Sequence, residues 1–148
     1  MSDTKSKKIL KAWLVFRSGE ERYAIDSCMI QEIVRNNEIF PIPFAPPFIK
    51  GIINCYSVPV AVIDFSILFG KKETQGKIFL HLKDVSSASI QVTDVEEFID
   101  DAEVSHSDFS NREDMPFFAG AIIYNKQTVP VLDTDAVLQK VKERLGSN

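Results

Sequence analysis

The chain has 148 residues, enough for one compact domain or two very small ones. Hydrophobic residues make up 45% and charged residues 26%, an ordinary balance for a chain that builds a core. Lys and Arg number 17 against 21 Asp and Glu, a net charge of −4, which argues against nucleic acid as the main partner because a phosphate backbone wants a basic face. Two cysteines, Cys28 and Cys55, make no disulfide framework. Both stand among apolar neighbours and read as small buried hydrophobes. The basic start MSDTKSKK is not followed by a long apolar run, so no secretory signal is expected. No window approaches the ~20 apolar residues of a membrane span, and the chain reads as cytoplasmic with no insertion into a membrane.

Residues 1–10 read as a disordered tail, with a single domain over 11–148. Trp13 to Phe16 is a short apolar run, Arg17 to Glu21 a polar turn containing Gly19, and Tyr23 to Ile25 a second apolar run. Together they predict a hairpin. Pro41, Pro43, Pro46 and Pro47 exclude helix and mark an extended segment. After Gly51, the β-branched run Val58 to Ile63 predicts a strand. Asp64 is placed to cap a short helix, Ser66 to Phe69, which Gly70 would stop. Lys71 to Lys77 reads as a polar linker.

Beyond that linker the order repeats. FIKGIINCYSVPVAVID (48–64) returns as FFAGAIIYNKQTVPVLD (117–133), with Gly51 answering to Gly120 and Asp64 to Asp133. Ile78 to Leu82 stands where Trp13 to Arg17 stood, and Ala88 to Ile90 where Tyr23 to Ile25 stood. Val95–Ile99 mirrors Ile30–Val34. Both of these last segments also fit a helical period, and periodicity over so few residues does not decide between helix and strand. A polar loop runs from Asp100 to Met115. Val137, Leu138, Val141 and Leu145 then predict a helix over 134–145, with basic residues toward its end. A unit of 60–65 residues buries only about 60% of its surface and is marginal alone. Two copies side by side cover each other's apolar faces. Two small β-barrels with a shared core and a groove between them are expected, the first over about 17–76 with contributions from the termini, the second over about 77–133.

No catalytic residue is read from the chain. His81 alternates with apolar neighbours and His106 lies in a polar loop, neither with a second ligand at metal spacing. There is no GxSxG, P-loop or GxGxxG, and the glycines are isolated, so no cofactor is expected. Asp94, Glu96, Glu97, Asp100, Asp101 and Glu103 form an acidic run without EF-hand spacing and read as a solvated face, not a metal site. Asp64 and Asp133 each follow a strand and precede a helix, which suits caps better than paired acid–base carboxylates.

Several of these residues match a known pattern. Ala24-Ile25-Asp26, Ile30-Gln31-Glu32-Ile33, Pro43-x-x-Pro46-x-Phe48-Ile49-Lys50-Gly51-Ile52-Ile53-Asn54 and Val60-x-Val62-Ile63-Asp64 closely resemble the CheW family of bacterial chemotaxis adaptors. The resemblance covers about residues 12–140. It implies a mainly β fold of two SH3-like five-stranded β-barrels related by a pseudo-twofold, with a C-terminal helix, and it makes Ile30–Val34 and Val95–Ile99 extended. It implies a non-enzymatic adaptor that joins the cytoplasmic tips of chemoreceptors to the regulatory domain of a CheA-type histidine kinase, recruited to membrane receptor arrays. The positions that match receptor-facing ones are Ile30, Glu32, Gly51, Asn54, Tyr56 and Val62. Arg35, Asn37, Glu38 and Ile39 match a kinase-facing loop. One departure stands out: where the family typically reads Asn-Leu-Arg-Gly, this chain reads Asn54-Cys55-Tyr56-Ser57. Tyrosine lacks the charge and fork of arginine, so the chain either suits a different receptor tip or has lost receptor binding. The missing glycine implies a different turn at Ser57. Two further readings stay open, an adaptor for a non-chemotaxis kinase pathway, and a small-ligand or metal domain using the groove with His81 or the acidic run.

Overall fold

The computed structural model describes residues 11–35, 37–83, 87–107 and 117–146. The expected N-terminal tail and residues 108–116 of the expected polar loop lie outside them. In chain order the strands are β1 (Ala12–Ser18), β2 (Glu21–Asp26), β3 (Ile30–Arg35), β4 (Ile49–Cys55) and β5 (Val58–Ile63), then the short helix α1 (Phe65–Leu68). There follow β6 (Ile78–Leu82), β7 (Ala88–Val92), β8 (Asp94–Asp100), β9 (Ser105–Ser107), β10 (Phe118–Tyr124), β11 (Gln127–Leu132) and the helix α2 (Thr134–Gly146). The segments 30–34 and 95–99, which fitted either period, are both strand.

The strands form a five-stranded sheet in the order β3-β6-β7-β5-β4 and a six-stranded sheet in the order β8-β1-β2-β11-β10-β9. The mainly β fold of two related units with a C-terminal helix is therefore as expected, but residue 76 does not separate the sheets. Hairpin β1–β2 joins the strands of the second half, and hairpin β6–β7 joins those of the first. Each exchanged hairpin enters through a parallel pair, β11 with β2 at Val131↔Ala24 and β5 with β7 at Ala61↔Ala88. The cause lies in the composition of these hairpins. Along β1, Trp13 and Val15 pack within the six-stranded sheet's own cluster, while Leu14 and Phe16 face the core shared with the other half. On β6, Phe79 packs with Ile53, Val60 and Val62 inside the five-stranded sheet, while Leu80 and Leu82 face the shared core. A strand apolar on both faces has to lie between two layers. The expected shared core is present, with Phe65 under Phe16 and Tyr23 at edge-on ring distances of 6.0 and 5.2 Å.

The sheets repeat each other in detail. Register shifts fall between Ile49 and Gly51 on β4 and between Phe118 and Gly120 on β10, and the two glycines have φ +146° and +147°. A Cβ on Gly51 would lie 2.3 Å from the carbonyl oxygen of Phe40, whose backbone exchanges two hydrogen bonds with Ile52 and covers the edge of β4. β9 does the same for β10. Hairpins β4–β5 and β10–β11 each close through two residues with positive φ, Tyr56 (+50°) with Ser57 (+70°) and Asn125 (+47°) with Lys126 (+61°), the pattern of a type I′ turn. Ser57, where the family typically carries glycine, adopts the left-handed conformation that a glycine adopts more easily.

Both aspartates that end the repeated line cap helices. Asp133 accepts from the Ala136 amide at 3.1 Å, and Asp64 from that of Ser66 at 3.1 Å. Asp64 does more. It is 0% exposed and also accepts from the amide and hydroxyl of Thr74, each at 2.8 Å. Ser18 at the end of β1 lies 2.9 Å from the hydroxyls of both Ser66 and Thr74. Lys50 stands 3.7 Å from Asp64 and 2.7 Å from Glu73, and Gln91 donates to the Gly76 carbonyl at 2.8 Å. The polar linker expected over residues 71–77 is thus tied down at Glu73, Thr74 and Gly76, because a buried carboxylate requires donors.

Two smaller expectations are corrected. Cys55 is buried but Cys28 is exposed, since it sits in a 3₁₀ turn, Ser27–Met29, that buries none of its residues. The acidic run is not merely solvated: Asp94 and Glu96 pair with Arg17, Glu96 also with Arg22, and Asp101 accepts from the Trp13 indole at 2.9 Å.

Thr74→Val keeps the side-chain shape and removes the hydroxyl. It is expected to cost about 2–3 kcal/mol in urea unfolding, the value of a hydrogen bond to a buried charge, whereas Thr74→Ser should cost less than about 1 kcal/mol. Ser57→Gly relieves roughly 1–2 kcal/mol of left-handed strain against roughly 0.4–1 kcal/mol of added freedom in the unfolded chain. A net gain of about 0.5–1 kcal/mol is expected, read as a higher urea midpoint at unchanged slope.

Candidate interaction site

The residues singled out from the sequence fall into two groups in space. Gly51 and Val62 are interior. Val62 is 0% exposed and packs against Phe79, and Gly51 occupies the bulge under Phe40. Neither presents a side chain to a partner; packing and backbone geometry account for both. Ile30 is half-buried against the shared core.

The others gather at one end of the five-stranded sheet. β3 brings Glu32 and Arg35, the stretch after it brings Asn37, and the β4–β5 hairpin brings Asn54, Cys55 and Tyr56. Together they line a cleft of about 280 Å³. Asn37 donates through Nδ2 to the Asn54 carbonyl at 3.1 Å, which fastens the stretch after β3 to the hairpin. Tyr56 stands at the hairpin tip, 85% exposed. The Glu32 carboxylate beside its hydroxyl raises the phenol pKa, and burial, with Glu32 adding to it, raises that of the Cys55 thiol. Both groups are therefore held in their neutral forms, and the face offers a ring, a hydroxyl, an amide and charges of both signs. Such a set recognises a surface; among the residues named, none is a nucleophile held by a base.

Two sets that the sequence kept apart are thus one face. Glu32, Asn54 and Tyr56 matched receptor-facing positions, and Arg35 and Asn37 matched a kinase-facing loop, yet all five line the same cleft. Glu38 and Ile39 turn toward a neighbouring cleft of about 460 Å³, which they line with Asn37, Gly76 and Lys77. A third cleft, of about 550 Å³, lies between α2 and the parallel strands β5 and β7, with Ile49, Ala61, Ala88, Leu138 and Leu145 in its wall. Neither His81 nor a carboxylate of the 94–103 run lines it; Glu97 and Glu103 of that run line a smaller cleft of about 130 Å³ with Tyr124 and Asn125. Among the described residues no group of three or more His, Cys, Asp or Glu could hold a metal ion.

Sequence reasoning missed the exposed apolar residues Phe40, Ile42, Phe44 and Val58. The signal was present as an unbroken run without a polar side chain from Ile39 to Ile49, but the prolines in it were read only as breakers of helix.

No helix among the described residues is long and apolar enough to cross a membrane. The chain is similar to the chemotaxis protein CheW of Treponema pallidum, 37% identical over 60 residues, which are 40% of this chain and 35% of that protein. The likeness to CheW of Klebsiella aerogenes is also 37% over 60 residues, 40% of this chain and 36% of the other. These matches span about a third of the curated relatives' length. Among solved structures, the scaffolding protein TtCheW from Thermoanaerobacter tengcongensis is similar with a TM-score of 0.70 and 25% identity, over 84% of this chain and 89% of that one. A family model described as the CheW-like domain matches residues 12–142, and with the two exchanged sheets already in view, the chain belongs to that family.

Proposed function

We propose that this chain is a non-enzymatic signalling adaptor, acting in the cytoplasm at receptor arrays, that couples the cytoplasmic tips of chemoreceptors to the regulatory domain of a CheA-type histidine kinase. The observation that carries this reading is the Tyr56 face: an almost fully exposed aromatic ring at a rigid hairpin tip, with Glu32, Asn54, Arg35 and Asn37 around it. An exposed tyrosine ringed by polar groups suits a protein contact, since aromatic side chains and arginine dominate the energy of such contacts. The family supports the reading, as does the printed description of TtCheW as a scaffolding protein.

In this reading the adaptor works by position. Its two sheets share one core, so a displacement imposed on the Tyr56 face is carried to both sheets. The receptor tip takes the face built by Glu32, Asn54 and Tyr56, and reaches Arg35 and Asn37 in the same cleft. The kinase domain takes the adjoining side, where Glu38 and Ile39 lie. Tyr56 then sets receptor choice. It stands where the family carries an arginine, next to a carboxylate with which an arginine would pair.

Titration with the kinase regulatory domain and, separately, with a receptor cytoplasmic fragment from the same organism tests the reading. Binding to both is expected; binding to neither sinks it. Tyr56→Arg is expected to change receptor affinity about tenfold or more, the worth of one charge-assisted hydrogen bond, and to leave kinase affinity within about twofold. Unchanged receptor affinity would remove position 56 from the contact.

A further inference from the structure

Along β6 the side chains alternate between two interiors. Leu80 and Leu82 face the shared core, while Phe79 packs inside the five-stranded sheet with Ile53, Cys55, Val60 and Val62. His81 falls on the side of Phe79, so an imidazole stands where the alternation asks for an apolar residue. It is half-buried, and its Nδ1 is enclosed with no hydrogen-bond partner. A buried polar atom left unpaired is uncommon and needs a reason.

The strand register supplies one. His81 lies directly opposite Glu32 on β3 and Ser89 on β7, so the three side chains form one row on one face of the sheet. The Ser89 hydroxyl is committed to the Ala61 carbonyl at 2.9 Å. The Glu32 carboxylate instead stands beside the Tyr56 hydroxyl and near enough to the Cys55 thiol to act on both. Among the described residues, the titratable and charged groups on this side of the sheet are therefore Glu32 from β3, Cys55 and Tyr56 from the β4–β5 hairpin, and Lys83, two positions on from the histidine. β7 adds the uncharged Ser89 and Gln91. A neutral imidazole carries one proton, and on Nδ1 that proton would meet no acceptor, so it belongs on Nε2. An imidazolium carries a proton on both nitrogens, and a buried charged N–H without an acceptor is costly. Glu32 is the one acidic side chain in the row.

We propose that His81 positions Glu32 according to its own charge: beside a neutral ring the carboxylate serves the Tyr56 hydroxyl, and beside a charged ring it turns across the β3–β6 pair to Nδ1 and leaves Tyr56. The interaction face is then proton-sensitive through a residue that does not itself touch a partner. Histidine suits the task, because its charge changes in the range of about pH 5 to 8. The bearing of this device on receptor binding rests on the adaptor reading above; the device itself does not.

Nuclear magnetic resonance of the labelled full-length chain tests the device without a partner. The His81 ring, the Glu32 carboxyl carbon and the Tyr56 ring are followed between about pH 8 and about pH 5. All three are expected to move together in the unaltered protein. In His81→Gln, uncharged throughout, Tyr56 should stay still over that range. In Glu32→Gln the His81 ring should still move and Tyr56 should not; this second variant, at a half-buried position on an edge strand, keeps the test open if the first fails to fold. A Tyr56 ring that stays still while His81 charges overturns the proposal. So does a Tyr56 shift that persists in either variant, and so does a His81 ring that never charges. Receptor-fragment affinity is expected to fall about threefold or more from the neutral to the acid end in the unaltered protein, the worth of one hydrogen bond, and to fall less than twofold in His81→Gln. An equal fall in the variant overturns the regulatory role. Failure of the unaltered protein to bind the fragment at any pH sinks the adaptor reading instead, and is told apart because the resonance test needs no partner.

Discussion

The buried carboxylate of Asp64 is the constraint on which the arrangement of the first half depends. A charge without solvent is tolerated only when its oxygens are filled by donors. The Ser66 amide, the Thr74 amide and the Thr74 hydroxyl fill them, and Lys50 stands close by. Those donors come from the start of α1, from the segment between the halves and from β4, and Ser18 adds the end of β1 to the same cluster. One ion therefore fixes where the chain leaves β5, how it crosses to β6, and where the exchanged hairpin β1–β2 ends. The matching residue of the second half, Asp133, caps α2 and is only half-buried. The second half needs no such clamp, since after β11 the chain runs straight into a helix that packs Val137 and Val141 on the shared core.

The exchange of hairpins follows from the same economy of burial. Each half alone has too little interior to be stable. Placing a buried hairpin at the junction gives each sheet its inner strands and gives the pair a common core. Stability and rigidity then have one source. The body cannot part along the repeat boundary without pulling two strands from each sheet, and this is the property wanted of a part that holds two partners at a fixed geometry.

Much of this was written plainly in the sequence. The hairpin at Gly19, the caps at Asp64 and Asp133, and α2 each have a local cause, a turn residue, a side chain two or three positions from an amide, or a helical period. What could not be read was relational. The four consecutive buried residues Trp13 to Phe16 hinted at a strand covered on both faces, but not at which sheet would cover it. Thr74 looks like any polar residue of a linker until the carboxylate ten positions earlier is seen to be buried beside it. Gly51 and Val62 matched contact positions by resemblance, and the structure buries Val62 and crowds Gly51 under Phe40, which the sequence alone did not show. Arg35 and Asn37 shared no motif with Tyr56, and only the hydrogen bond from Asn37 to the Asn54 carbonyl brings the two sets together.

The places where local rules are broken are more informative than those where they are kept. Left-handed backbone is adopted by two bulky aromatic residues, Tyr56 and Phe44, and both rings point into solvent. Strain of about 1–2 kcal/mol at each position is compensated by no packing within the chain. In the second half the equivalent of the Tyr56 turn carries Asn125, a residue suited to that conformation, and shows no exposed ring. The two halves share bulges, turns and caps, so the fold does not ask for an aromatic residue at either turn. Sites where a sequence departs from what its own backbone prefers are where function outweighs stability. Ser87 and Lys126 also adopt positive φ in the second half, but the two aromatic departures, Tyr56 and Phe44, both lie in the first. In the adaptor reading proposed above, the Tyr56 projection is a point at which a partner holds this frame.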